Sequence, residues 1–158
     1  MVIALDAHLL DRVRSELASV VDPEIPVLTI ADLGVLRGTA VEDGRVVVTI
    51  TPTYSGCPAM DVIRADVAEA LRRAGCIDGE VRTVLAPAWT TDWISETGRE
   101  KLAAFGIAPP RRLPTAPVLC PRCRSAHTRT VSEFGSTACK ALVVCESCGE
   151  PFDRFKEL

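Results

Sequence analysis

No stretch of this 158-residue chain approaches the roughly 18 consecutive apolar residues that a membrane-spanning helix needs. The opening, Met1-Val2-Ile3-Ala4-Leu5-Asp6, lacks the basic start and small-residue cleavage site of a secretory signal. The expectation is a cytoplasmic protein with no membrane partner. Histidine is scarce: His8 and His127 are the only two, and neither forms a recognisable dyad, which leaves a thiol enzyme without its base. Aromatic residues make up 4% of the chain and do not interleave with basic ones as a nucleic-acid surface demands. Nothing resembles a flavin, nicotinamide or di-iron carboxylate site, so no cofactor-borne oxygenation is expected of the chain itself.

What is present is a folding composition, 47% apolar with a mean hydropathy of +0.20, and seven cysteines. In a reducing compartment such thiols act as ligands or nucleophiles more often than as disulfide halves. Charge is unevenly spread. Residues 1–106 carry 10 Lys/Arg against 16 Asp/Glu, a formal −6, whereas residues 107–158 carry 8 against 5, a formal +3.

In chain order, Asp6 can cap a first helix whose apolar face is Leu9, Leu10, Val13, Leu17 and Val20 or Val21. Asp22-Pro23-Glu24-Ile25-Pro26 then fixes two carboxylates between two prolines. Each proline locks its own φ and biases the residue before it toward extended backbone, so the loop is stiff. Two readings are open: a loop that aims Asp22 and Glu24 at a site, or a helix terminator with solvated acids. Gly34 ends a tight turn that calls for positive φ. Val35 to Val41 and Arg45 to Thr51 read as strands joined by a turn at Glu42-Asp43-Gly44.

The second strand leads into Pro52-Thr53-Tyr54-Ser55-Gly56-Cys57-Pro58 and a helix with Met60, Ile63, Val67 and Leu71 on one face. Proline suits the first helical position, which puts Cys57 at or beside the N-cap. Free backbone N–H groups and the helix dipole favour a thiolate there, making Cys57 a candidate ligand or nucleophile; a small buried hydrophobe is the alternative. Cys76, past the helix end at Gly75, reads as packing. Glu80 to Leu85 reads as a third strand, and a last helix from about Asp92 to Phe105 follows a loop holding both tryptophans, Trp89 and Trp93, which read as core or interface anchors. This order predicts a small α/β domain over residues 1–106 with a mixed sheet, an antiparallel hairpin plus one parallel neighbour.

Four prolines in residues 107–117 make 107–118 an extended linker. Beyond it, Cys120-Pro121-Arg122-Cys123 and Cys145-Glu146-Ser147-Cys148 form two C-x-x-C knuckles separated by the 21 residues 124–144. That spacing suits a tetrahedral four-cysteine metal site, zinc or iron, in a ribbon over residues 119–158. Forty residues cannot bury a sufficient core, so the metal should supply much of the folding free energy. Four thiolates around a divalent ion also offset most of the basic excess. Cys139 lies inside the ribbon but outside both knuckles; it is either a packing residue or a second functional thiol.

Two sets of motifs carry a resemblance. Asp22-Pro23-Glu24-Ile25-Pro26-Val27-Leu28 with Asp32-Leu33-Gly34, and Thr51-Pro52-Thr53-Tyr54-Ser55-Gly56-Cys57-Pro58-Ala59-Met60, resemble the MIP18-type and SufT-type iron-sulfur assembly domain. Pro87-Ala88-Trp89-Thr90-Thr91-Asp92-Trp93-Ile94, Phe134-Gly135-Ser136-Thr137-Ala138-Cys139-Lys140-Ala141-Leu142 and Glu150-Pro151-Phe152-Asp153-Arg154-Phe155-Lys156 narrow this to similarity with the PaaD (PaaJ) family. These are the D components of the phenylacetyl-CoA epoxidase system in phenylacetate degradation.

The resemblance implies a MIP18/SufT-like α/β domain fused to a zinc ribbon, and an accessory component that helps assemble or insert an iron-sulfur cluster in the epoxidase's reductase or oxygenase. It also implies that Cys57 handles a transient cluster beside Asp22 and Glu24, that Cys120, Cys123, Cys145 and Cys148 hold zinc, and that Cys139 is the family's extra cysteine. A single thiolate in its domain leaves a cluster, which takes about four ligands, incompletely held. The remaining ligands would come from a second copy in a homodimer, from Cys139, from carboxylates or from the client. A stable non-catalytic subunit of the oxygenase and a thiol-dependent enzyme using Cys57 are the alternative readings.

Overall fold

The structure, a computed structural model, describes residues 7–158; the proposed capping role of Asp6 lies outside them. The chain divides into two compact units, the first ending at Trp89 and the second running Thr90–Leu158.

The first unit begins with helix α1 (Ala7–Leu17), which buries Val13 and Leu17. Strands β1 (Leu36–Glu42) and β2 (Arg45–Ile50) form an antiparallel hairpin, and β3 (Glu80–Thr83) pairs with β2 in parallel. The sheet order is β1-β2-β3, with helix α2 (Ala59–Arg73) making the crossover between the parallel pair. The mixed sheet expected from the element order is therefore present. Asp43 (φ 49°) and Gly44 (φ 76°) occupy the hairpin turn, the positive-φ pair that matches the twist of the flanking strands.

Central position explains why β2 is the most apolar strand. Val46, Val47, Val48 and Ile50 are all buried, as a strand flanked on both edges and covered by a helix must be. Helix α2 turns Ile63, Val67, Ala70 and Leu71 inward, and α1 packs against it. Arg12 Nε donates to the Ala74 carbonyl at 3.1 Å and Arg73 pairs with Glu16 at 2.7 Å. At the C-terminus of α2, Gly75 (φ 86°) donates to the Arg72 carbonyl and Cys76 N–H to the Leu71 carbonyl. This left-handed cap satisfies two orphan carbonyls and needs glycine at position 75.

The second unit opens with a single 3-10 turn at Thr91–Trp93 and then helix α3 (Glu96–Ala104). The sequence placed that helix's start at about Asp92. Ile94 is extended instead, and Ser95 caps the helix by accepting the Gly98 N–H at 3.0 Å; the serine cap sets the boundary. A four-stranded sheet follows in the order β4 (Ile107–Ala108), β7 (Pro151–Phe155), β6 (Lys140–Cys145), β5 (Thr128–Ser132). Strands β5-β6 and β6-β7 are antiparallel, and β4 joins β7 in parallel.

The compact-unit boundary thus lies at 89/90, while the sequence placed it in the proline-rich segment starting at 107. Ile107 and Ala108 are buried ladder residues rather than linker. The buried guanidinium of Arg99 on α3 donates to the Pro110 carbonyl at 2.6 Å and the Thr91 carbonyl at 3.0 Å. Helix α3 and the start of the proline-rich stretch are in this way tied into the second unit.

Candidate functional site

The two knuckles of the second unit are built alike. In each, the residue after the second cysteine takes left-handed backbone, Arg124 at φ 65° and Gly149 at φ 78°. Its N–H returns to the carbonyl of the first cysteine, Arg124 to Cys120 at 2.9 Å and Gly149 to Cys145 at 2.8 Å. The first cysteine's own N–H reaches five residues on, Cys120 to the Ser125 carbonyl and Cys145 to the Glu150 carbonyl, both at 2.9 Å. The Ser125 and Ser147 hydroxyls meet at 2.8 Å, and Arg122 pairs with Glu150 at 2.7 Å, joining the two turns.

This frame brings Cys120, Cys123, Cys145 and Cys148 together with all four sulfurs within 4.8 Å of one another. Two of the separations are 3.5 Å (Cys123–Cys145) and 3.8 Å (Cys120–Cys148). Four sulfurs at tetrahedral corners about 2.3 Å from one ion lie about 3.8 Å apart, so the donor set fits zinc without rearrangement. The Cys148 and Ser147 N–H groups hold the Cys145 thiol down at about 6. At Cys148 the Glu150 N–H acts in the same direction, but burial and the neighbouring thiols outweigh it and push the group up to about 12. Such a cage cannot ionise all four thiols unaided, and a divalent cation removes that conflict.

In the first unit Cys57 precedes α2 by two residues. Pro58 has helical backbone (φ −64°, ψ −24°) at the N-cap and the Cys57 carbonyl accepts the Met60 N–H at 3.1 Å. The thiol is half-buried and lines a hollow of about 340 Å³ with Gly56, Asp61, Arg64, Thr83 and Leu85 among the other lining residues. Met60 and Pro52 add apolar wall. Among the described residues the four ribbon thiols are the one group of three or more His, Cys, Asp or Glu side chains placed to hold a metal. Cys57 therefore stands without two further protein ligands among the described residues.

The acidic loop resolves into two different carboxylates. Asp22 is buried, and its Oδ1 accepts the N–H groups of Glu24 and Ile25, each at 2.8 Å. Glu24 is half-buried, and its carboxylate has no hydrogen bond or ion pair among the described residues. Asp22 thus shapes the turn that presents Glu24. Replacing Asp22 by Ala strands two backbone donors and should lower stability by about 1–3 kcal/mol, whereas Asp22→Asn retains an acceptor and should lose less. Urea unfolding of the two variants measures this; equal stability of Asp22→Ala and wild type would show the turn to be indifferent to its carboxylate.

The other singled-out residues fall into place. Cys76 is buried beside Leu71, and burial pushes its thiol up, which suits packing and not chemistry. Cys139 is also buried, 3.0 Å from the Thr137 hydroxyl, and lies outside the four-thiol group. Trp89 is a core residue of the first unit whose Nε1 donates to the Leu33 carbonyl at 2.9 Å, and Gly34 has the expected positive φ of 77°. His8 and His127 are both exposed. Missed in the sequence was a clamp at the chain's end. Glu157 accepts from the Arg111 side chain at 2.8 Å, from the Arg111 backbone N–H at 2.9 Å and from Arg154 at 2.7 Å. No local pattern signalled it, since Arg111 and Glu157 are 46 residues apart.

Residues 10–84 match the family described as iron-sulfur cluster assembly protein, and residues 109–156 match the PaaD zinc beta ribbon domain. A candidate D component of 1,2-phenylacetyl-CoA epoxidase from Escherichia coli K12 is 50% identical over 146 residues, spanning 89% of this chain and 88% of that protein. The chain belongs to the PaaD family. An Fe-S protein maturation auxiliary factor of Bacillus subtilis 168 is 36% identical over 105 residues, 65% of this PaaD chain and 99% of that protein. The structure of a DUF59 domain of unknown function from Bacillus anthracis superposes with a TM-score of 0.53 at 27% identity, covering 60% of this chain and 91% of that one. PaaD membership makes the four-thiol cage the zinc site of a ribbon. Four cysteine ligands would fill the coordination of a zinc ion, so the metal would serve structure and leave no open position for a substrate. No helix among the described residues is long and apolar enough to cross a membrane.

Proposed function

We propose that this protein is an accessory factor for iron-sulfur cluster assembly in a phenylacetyl-CoA epoxidase system, with Cys57 as the residue that touches the cluster. The observation that carries the reading is the isolation of a half-buried thiol in a 340 Å³ hollow with no preformed set of companion ligands. One protein thiolate holds a cluster weakly, since a cluster takes about four ligands. The others would come from the client or from Cys57 of a second copy.

Transfer is then a ligand exchange. A client cysteine gives up its proton and bonds iron as the iron–sulfur bond to Cys57 breaks; Cys57 takes a proton, and no electron changes hands. Glu24, on the turn fixed by Asp22, does not line the Cys57 hollow; the family resemblance alone gives it a part, as an alternative iron ligand or as the proton acceptor for the incoming thiol. Burial of Cys139 favours packing, and its service as a second thiol would require opening of the Gly135–Lys140 loop. The clients that fit are the system's own components, the iron-sulfur reductase first and the oxygenase second. The cytoplasm, where such clients are made, is the matching compartment.

Anaerobic reconstitution with iron and sulfide tests the reading. Wild-type protein should take up a cluster that a mild chelator strips while the zinc stays, and Cys57→Ser should take up almost none at unchanged zinc content. Equal uptake by the two would remove Cys57 from the mechanism. The relative's designation as part of the epoxidase itself favours a second reading, a permanent structural component; stoichiometric co-purification with the oxygenase, with Cys57→Ser fully active, is the result that would select it.

A further inference from the structure

Phe134 is the most exposed aromatic ring among the large hydrophobic residues, at 72%, and the loop that carries it is tied down through its backbone and its neighbours. Its carbonyl accepts the Ser132 hydroxyl at 2.9 Å and its N–H donates to the same oxygen at 3.2 Å. Lys156 Nζ lies 4.7 Å from the ring centroid and donates to the Glu133 carbonyl at 2.9 Å. The next residue, Gly135, donates to the Lys140 carbonyl at 2.7 Å, and a Cβ there would meet Asp153 Oδ1 at 2.6 Å. Asp153 in turn accepts the Ser136 hydroxyl at 2.8 Å and pairs at 3.6 Å with the buried ammonium of Lys140. Lys156 N–H closes the loop on the Cys139 carbonyl at 2.9 Å.

None of these bonds buries the ring. A lone exposed hydrophobe needs no explanation, but one carried on a backbone ordered in this way, with an ammonium over its face, has part of its ordering entropy removed before any partner arrives, which favours an aromatic side chain as a binding anchor. The ammonium beside the ring sets the sign of the complement. A second copy of the same loop would bring ammonium to ammonium, so self-association is disfavoured at this patch.

We infer that Phe134, with Lys156 over its ring, is the anchor by which the ribbon docks onto an apolar socket with an acidic rim on the client protein. This rests on the accessory-factor reading above and names the surface through which such a factor would find its client. Cys57 handles the cargo; the Phe134 loop supplies recognition.

Biolayer interferometry with the purified iron-sulfur reductase component as probe, against full-length zinc-loaded protein, tests it. Phe134→Ala should weaken binding about 30-fold or more, the size of a hot-spot truncation, with zinc content unchanged. Phe134→Leu, which keeps an apolar tip, should lose less. Lys156→Gln should slow association and flatten its salt dependence, as loss of a steering charge does. Phe134→Ala binding as tightly as wild type would overturn the anchor and leave the Cys57 reading intact. No binding by wild type would overturn the anchor and remove the reductase as client, leaving the Cys57 reading to its own reconstitution test, and a wild-type dimer abolished by Phe134→Ala would assign the patch to a second copy instead of a client. Cys57→Ser should bind the probe like wild type while failing in cluster uptake, which separates docking from cargo.

Discussion

Replacing Cys120 by Ser should empty the zinc site and unfold the second unit while the first persists. The apolar cluster around that cysteine consists of Ala108, Cys120, Val143, Cys145 and Phe152, with Val118 against it. Two of those five are themselves metal ligands, so loss of the ion removes part of the core together with the cross-link. Structural zinc in small domains contributes about 10–16 kcal/mol of apparent binding free energy at neutral pH, more than the whole stability of many domains of this size. Elemental analysis should show zinc falling well below one per chain. Amide exchange should show lost protection in β6 and β7 and retained protection in β2 and α2. A strong chelator should reproduce this in the wild type, and acidification should as well, because the thiols must lose their protons to bind. A protected β6 in metal-free protein would mean that α3, β4 and the arginine tethers of the second unit suffice to hold it.

Glu157→Gln should destabilise the second unit strongly. Burial raises the Glu157 carboxyl, but the Arg111 side chain and backbone and the Arg154 guanidinium outweigh it and hold the group at about 2. The carboxylate is 29% exposed, so solvent screens it only in part, and a depression from 4.5 to about 2 corresponds to about 3 kcal/mol at most. A depressed carboxyl stabilises the fold fully above its unfolded value near 4.5 and loses that contribution as pH falls toward about 2. The gap between wild type and Glu157→Gln in denaturant unfolding should therefore be widest near pH 7 and narrow as the medium is made more acidic than pH 4.5. A gap that stays constant through that range would assign the loss to shape and not to charge. Arg154 is buried and its Nε has no partner, so removing the anion also leaves that cation uncompensated, and such groups are costly.

On the proposed function, the two sites would divide the labour by ligand count. Four sulfurs in one cage suit a permanent structural ion. One sulfur in an open hollow would give a cluster an attachment that a client could displace.

The sequence by itself determined the local chemistry. The β-branched run at Val46–Ile50, the Asp-Gly turn, the apolar stripe of α2 and Gly75 each encode their structure within a few residues, because period, turn type and capping are short-range properties. The paired C-x-x-C knuckles likewise announced a metal cage, since ligand spacing within each turn is fixed by the backbone loop that holds it. What only the tertiary structure decided are the relations across long separations. Ser95 rather than Asp92 begins α3, Ile107 and Ala108 leave the proline-rich stretch to join β7 almost fifty residues on, and Arg111 meets Glu157. Asp22 and Glu24 look equivalent in the sequence, yet one is spent on its own turn and the other is presented, a difference that depends on which way each side chain faces once the chain has packed. Long-range pairing leaves no periodic signature; it is selected by the packing of whole elements, and only the assembled fold reveals it.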